Sequence, residues 1–228
     1  TLAHWPPMLT NSRDYYQTPQ GRLALGFLRA HVENMGSNIL GARILPLGCG
    51  DLLLKNEPFV TGRLTAAQEE PFSCFVDAQN KPLPDADIGC VIALHAAVTA
   101  HDIGSLLREA WRVLKGEGRL LIFVPRRGST WAQNPASPFS KEGAYAAVQI
   151  ENLVRMQGFV PRTRHVLLAS PGLCQKIEPL ALKMESLAPF LFWGGGVLAV
   201  EGQKRVLGFA GPQKINREAD INPLMPLP

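Results

Sequence analysis

LLREAWRVLKGEGRLLIFVP, Leu106 to Pro125, joins an amphipathic stretch to an apolar one across two glycines. Counting back to Ile103, the residues Ile103, Leu106, Leu107, Ala110 and Leu114 recur three and four apart, which predicts a helix over 103–115 with Asp102 as its N-cap. Gly116 and Gly118 end that helix. Arg119–Val124 then reads as a strand, and Pro125, which has no N–H to give a ladder, stops it. A helix feeding straight into an apolar strand is half of a parallel crossover unit.

The same alternation extends outward in both directions. Toward the N-terminus, a fourth strand over Cys90–Leu94 follows the turn signal PLPDAD, and a third, Phe72–Val76, ends at Asp77. A second strand is expected over Phe59–Leu64 and a first over Arg43–Leu47, running into Gly48-Cys49-Gly50. The first helix is predicted over Gly21–Met35, closed by Gly36. Only Asp51–Pro58 separates the glycine turn from the next strand, room for two helical turns at most. Toward the C-terminus, a Pro/Ser-rich loop (Asn134–Pro138) leads to Ser140, read as the cap of a helix ending near Gly158. A strand over Phe159–Leu168, a helix near Ile177–Leu187 and a last strand pair, Gly196–Val200 and Arg205–Phe209, follow. Strands alternating with helices give an α/β domain, a mostly parallel sheet covered on both faces, whose ligands bind beyond the carboxyl ends of the strands. The expected organisation is an irregular lead-in over 1–19, one domain over 20–210 and a Pro-rich tail over 211–228.

Composition narrows the class. With 228 residues, 46% hydrophobic and 18% charged, the chain can bury one sizeable core. Its net charge of +4 is spread along the chain, with short clusters such as Arg126-Arg127, and reads as a solvated surface more than a nucleic-acid track. The four cysteines, Cys49, Cys74, Cys90 and Cys174, form no C-x-x-C pair, so neither a metal site nor a disulfide framework is expected. The run Leu187–Val200 is too short to span a bilayer, and TLAHWPPML lacks the order of a signal peptide; a cytoplasmic protein away from membranes is the expectation.

Four segments resemble the class I S-adenosylmethionine-dependent methyltransferases, in particular their type 11 branch: ILPLGCGD (44–51), FVDAQNKPLPDADIGCVIALHAAV (75–98), LLREAWRVLKGEGRLLIFVP (106–125) and FSKEGAYAAVQIENLVRMQGFVP (139–161). The third is the most specific. The resemblance runs from about Asp14 to Val206 and implies a Rossmann-like fold: a mostly parallel seven-stranded sheet with helices on both faces and an antiparallel last strand. It implies S-adenosylmethionine as cofactor, with Gly48, Cys49 and Gly50 at its amino-acid end, Asp77 and Ala78 at the adenine, Leu83, Leu94 and Ala96 walling that ring, and His95 also among the cofactor contacts. The chain departs from the family at Pro46, where an acidic residue is usual, at Leu52, where a third glycine is usual, near Leu64, where the acid that grips the ribose has no counterpart, and at Gly89.

Glycine lets a backbone approach a ligand closely, and charge-assisted bonds from a carboxylate to a ribose contribute about 1.5–3 kcal/mol each, so these departures bear on affinity. His95, at the end of the fourth strand, is the candidate base, although transfer by direct displacement needs positioning above all. A histidine held in a polar cleft by backbone bonds is the alternative. Tyr15 and Tyr16 are candidates to close over the acceptor, or to pack the first helix; Trp131 is a candidate acceptor contact in the loop after strand five. The acceptor itself (small molecule, protein or RNA) and the oligomeric state are not specified. Two other functions are weighed: a methyltransferase-like protein without catalysis that serves as a binding or assembly partner, and a nicotinamide enzyme, disfavoured because Leu53 stands where G-x-G-x-x-G needs glycine.

Overall fold

The computed structural model describes residues 12–34, 43–54, 83–96, 103–167 and 195–206. The expected strands at 59–64 and 72–76, the helix at 177–187, and Asp77 and Ala78 lie outside the described residues. In chain order the elements are α1 (Ser12–Tyr15), α2 (Pro19–Asn34), β1 (Ile44–Gly48), β2 (Ile88–Leu94), α3 (Ile103–Val113), β3 (Leu114–Pro125), α4 (Thr130–Gln133), α5 (Ala147–Met156), β4 (Phe159–Leu167) and β5 (Val197–Lys204).

Among the described residues five strands form one sheet, in the order β1-β2-β3-β5-β4. The ladders β1–β2 and β2–β3 are parallel, while β5 runs antiparallel to both neighbours. The antiparallel last strand is therefore present, inserted between β3 and β4. The strand expected over Gly196–Val200 runs further than its sequence pattern, whereas most of the strand expected over Arg205–Phe209 lies outside the described residues. Residues 201–204 continue β5, because Glu201, Gly202 and Gln203 remain in register with both β3 and β4.

Alternate side chains leave the sheet on opposite faces. Leu45, Leu47, Val91, Ala93, Leu120, Ile122, Leu198 and Val200 join the apolar stripes of α3 and α5. Ile44, Cys90, Ile92, Leu94, Leu121, Phe123, Val197 and Ala199 face α2 and the aromatic residues of the lead-in. The result is three layers. On the first face α3 contributes Ile103, Leu106, Leu107, Ala110 and Val113, as its spacing requires. Lys204 fastens its end from β5, donating from Nζ to the carbonyls of Trp111 and Leu114 at 2.7 Å each. The helix stops at Val113 because the chain then turns: Glu117 has φ +63°, and a side chain at Gly118 would come within 2.8 Å of the Lys115 carbonyl oxygen.

The helix predicted from Ser140 begins instead at Ala147. Ser137 caps a 3-10 turn over Pro138–Lys141, accepting from the Phe139 N–H at 3.3 Å, with Pro138 in its first turn. Beyond it the Tyr145 N–H donates to the Pro125 carbonyl and Arg127 N–H to the Tyr145 carbonyl, both at 2.9 Å. This tie keeps the backbone extended and returns the loop to the carboxyl end of β3. No helix among the described residues is long and apolar enough to cross a membrane.

Candidate functional site

β1 and β2 end level, with Gly48 opposite Leu94. At Gly48 the backbone takes φ +62°, and the turn crosses the end of β2 so closely that a Cβ there would lie 2.3 Å from the Leu94 carbonyl oxygen. At Gly50 a Cβ would lie 2.3 Å from the Ile92 oxygen. Both glycines are thus required by the approach of one strand end to the next. The Cys49 N–H closes the crossing by donating to Leu94 O at 2.7 Å. Pro46 is buried beneath the turn, its Cβ 3.4 Å from the place a Gly50 Cβ would take. The chain then winds into a 3-10 turn, Gly50–Leu53. Leu52 packs on the α2 side, and its carbonyl accepts from Arg29 Nε at 2.7 Å.

The lead-in docks on this turn. Arg13, in α1, makes a bidentate pair with Asp51, both bonds 2.8 Å, which raises the guanidinium above its ordinary range through that hydrogen bond. Thr18 caps α2: its hydroxyl accepts from the Gly21 N–H at 3.0 Å and donates to the Tyr15 carbonyl at 2.7 Å. Pro19 follows as the first helical residue. Gly21 leaves no room for a side chain, since a Cβ would stand 2.0 Å from Tyr15 O. This corner fixes Tyr15 and Tyr16, both buried, over the ends of β1 and β2.

His95 directly follows β2 with φ +55°, the left-handed region that non-glycine residues seldom occupy. Its side chain is 1% exposed. Nδ1 is hydrogen-bonded to Oε1 of Glu142, whose side chain is fully buried, and Nε2 lies 2.7 Å from the Tyr16 hydroxyl. With the Glu142 carboxylate accepting from Nδ1–H, Nε2 keeps its lone pair and the Tyr16 O–H donates to it. Phe139 stacks obliquely on His95 with ring centres 4.4 Å apart, and edge contacts link Phe139 to Trp131, Trp131 to Tyr15 and Tyr15 to Tyr16. Trp131 is seated by α4, which Ser129 caps, and by Gly196, where a Cβ would clash with the indole at 2.0 Å.

Burial, first, holds the Tyr16 phenol well above its usual range, and the negative charge of Glu142 adds to it. Burial likewise pushes the Cys49 thiol up to about 11, opposed by Arg13 and assisted by Asp51 and Glu142. The Oε2 atom of Glu142 has no hydrogen-bond partner among the described residues.

Of the residues singled out from sequence, Gly48, Cys49, Gly50, Leu94, His95, Tyr15, Tyr16 and Trp131 gather at the carboxyl ends of β1 and β2. Two residues were missed. Arg13 had no signal beyond its place in SRDYYQTP. Glu142 was read as the first turn of a helix; the residues that could have shown otherwise are Pro138 and Gly143, which bracket it in a stretch too interrupted for a continuous helix.

Residues 60–122, from the predicted second strand through most of β3, match the family model of the methyltransferase domain. The fold is shared with solved structures. A SAM-dependent methyltransferase from Thermotoga maritima is 16% identical, with a TM-score of 0.53, 85% of this chain and 94% of that chain covered. A SAM-dependent methyltransferase from Archaeoglobus fulgidus is 15% identical with a TM-score of 0.52, covering 79% and 94%. The [4+2]-cyclase SpnF is 18% identical with a TM-score of 0.50, covering 77% and 80%. At these identities the likeness is one of fold. No curated protein matches the sequence.

The sheet order, the glycine turn and these matches define an α/β protein of the Rossmann-like methyltransferase class. Over residues 60–122 the chain matches the methyltransferase-domain model, and its fold is that of S-adenosylmethionine-dependent methyltransferases. S-adenosylmethionine, the cofactor of methyltransferases with this fold, is a cation at its sulfonium, and the described wall of the site holds a group that could face it. Asp51 is paired with Arg13, whereas the Glu142 carboxyl is buried with one oxygen unpartnered among the described residues.

Proposed function

We propose that the protein is an active methyltransferase that carries the S-adenosylmethionine methyl group to an acceptor bound at the carboxyl ends of β1 and β2. One observation carries the reading: a buried imidazole–carboxylate pair, on a residue with a left-handed backbone, stands beside the glycine turn. Positive φ in a non-glycine residue costs about 1–3 kcal/mol, and a buried charged pair is weak as a source of stability. A scaffold gains nothing from either, whereas a reaction that releases a proton needs a positioned acceptor for it. In this reading Gly48, Cys49 and Gly50 line the amino-acid end of the cofactor, Asp77 with Ala78 and Leu94 its adenine, and His95 stands beside it. Tyr15, Tyr16 and Trp131 enclose the acceptor.

The test is calorimetric titration with S-adenosylmethionine and S-adenosylhomocysteine. Micromolar binding, weakened at least tenfold by Asp77→Ala, is the expected result; absence of heat at millimolar ligand sinks the reading.

A second reading, a methyltransferase-like protein that has lost catalysis and acts as a binding partner, draws on two features. Gly48 and Gly50 are accounted for by their approach to β2, and Arg13–Asp51 ties the lead-in across the turn. The cyclase among the structural neighbours is a reminder that this fold hosts more than one chemistry.

A further inference from the structure

Tyr16, His95 and Glu142 come from three separate parts of the chain and form one hydrogen-bonded line. His95 Nδ1 is hydrogen-bonded to Glu142, and the Tyr16 phenol oxygen lies 2.7 Å from His95 Nε2. A carboxylate on Nδ1 selects one tautomer and leaves Nε2 as the proton acceptor. What occupies that acceptor in the closed protein is the hydroxyl of a six-membered aromatic ring. The surroundings are aromatic too, with Phe139 against His95, and Trp131 and Tyr15 at the next shell of contact. A group that displaces Tyr16 must donate a hydrogen bond to Nε2, or the buried imidazole loses its partner, and it must present flat apolar surface to the same neighbours.

Resting on the methyltransferase reading above, we propose that the methyl acceptor is a phenol whose hydroxyl takes the place of Tyr16 Oη on His95 Nε2. Glu142 is the positioning residue for His95. The acceptor oxygen bonds to the methyl carbon while the carbon–sulfur bond of the sulfonium breaks and its electron pair stays on sulfur. The phenolic proton passes to Nε2, giving an imidazolium paired with Glu142, and is released to solvent when the product ether leaves. The lead-in that carries Tyr16 must withdraw its side chain for the acceptor to enter. The Arg13–Asp51 pair and the Thr18 cap hold the backbone of the lead-in, so the movement required is a rotation of the Tyr16 side chain alone.

The experiment uses the full chain with S-adenosylhomocysteine present and 4-nitrophenol as probe, because its phenolate is coloured and reports transfer of the proton without turnover. At a pH where the free probe is half ionised, bound probe is expected to gain phenolate absorbance. Tyr16→Phe keeps the ring and removes the competing hydroxyl, so it should bind the probe several-fold more tightly. Glu142→Gln should abolish the colour gain, and Glu142→Asp should restore part of it, a rescue that a purely structural role would not produce. In turnover with S-adenosylmethionine, phenols should give methyl ethers, and Glu142→Gln should lower kcat about 100-fold.

Circular dichroism melting confirms that each variant folds. Heat of S-adenosylhomocysteine binding without any colour change in the native protein overturns this proposal and leaves the methyltransferase reading standing. So does a colour gain that Glu142→Gln leaves intact, or methylation of anilines in preference to the matching phenols. No heat at all overturns both.

Discussion

The two faces of the sheet are built from the same strands but to different ends. On the α3/α5 face the described core cluster is apolar, with Glu109 and Lys204 buried at its edge, and its helices follow the spacing of their own sequence. On the α2 face the core begins the same way, with Ala24, Leu25, Leu28 and Val32 against Ile44 and Ile92. Toward the carboxyl ends of the strands it then takes in two tyrosines, a tryptophan, a histidine and a glutamate. The first face is where stability is concentrated. The second gives up some of it to hold polar groups out of water.

That contrast is broken most directly on the first face. Leu106→Ala deletes a side chain that is completely buried between α3 and the sheet. A loss of about 2–5 kcal/mol is expected, read as a lower urea midpoint with unchanged slope. S-adenosylhomocysteine affinity, measured where the variant is folded, should not move.

On the second face Glu142→Leu should cost less, about 1–3 kcal/mol, because it leaves the buried His95 Nδ1–H without an acceptor. The double variant His95→Phe with Glu142→Leu, made in a Tyr16→Phe background so that no buried hydroxyl loses its partner, replaces both partners by apolar groups and should regain most of that loss. Recovery would show that the pair is not kept for stability. A double variant as unstable as the sum of the two single changes would place His95 and Glu142 with the structural core and erase the distinction between the faces.

What the sequence disclosed divides along the same line. The α3–β3 unit was legible because its cause is local: an apolar face at helical spacing, a two-glycine break and an apolar strand. The glycine turn was legible as a turn, but its glycines also serve contacts with Leu94 and Ile92, more than forty residues away. The Tyr16–His95 and His95–Glu142 bonds span 79 and 47 residues, and no local pattern encodes such a meeting. The helix begun too early at Ser140 hid Glu142 in particular. Pro138 and the Tyr145 backbone bonds, tertiary ties to Pro125 and Arg127, override the helical propensity of the residues between.

Arg13→Ala should have a smaller effect on stability. Its side chain is 45% exposed, and an exposed pair contributes about 0.2–1 kcal/mol, less at high salt. Its effect should instead appear in access: with the lead-in untied from the turn, S-adenosylhomocysteine should associate faster in stopped flow. An unchanged rate would mean that α1 plays no part in entry.

The smallest effect at neutral pH, and the one that isolates the environment of the turn, is the titration of Cys49. Burial raises this thiol from 9.0 to about 11, so below pH 9 it is protonated in both the folded and the unfolded chain and contributes nothing that varies with pH. Between about pH 9 and 11 the unfolded chain gives up the proton and the folded one keeps it. The unfolded state then binds fewer protons, and stability must fall as pH rises through that window. Cys49→Ala should flatten this part of the stability curve relative to the native chain, whatever other groups titrate there. Peptide-level mass spectrometry should find Cys49 slow to react with iodoacetamide at pH 8 in the folded protein, since little thiolate is present and the sulfur is enclosed. Rapid labelling would mean that the turn opens on its own. The lead-in would then be a loose cover, and the polar line behind it would stand in water rather than in the dry aromatic setting that distinguishes this face from the other.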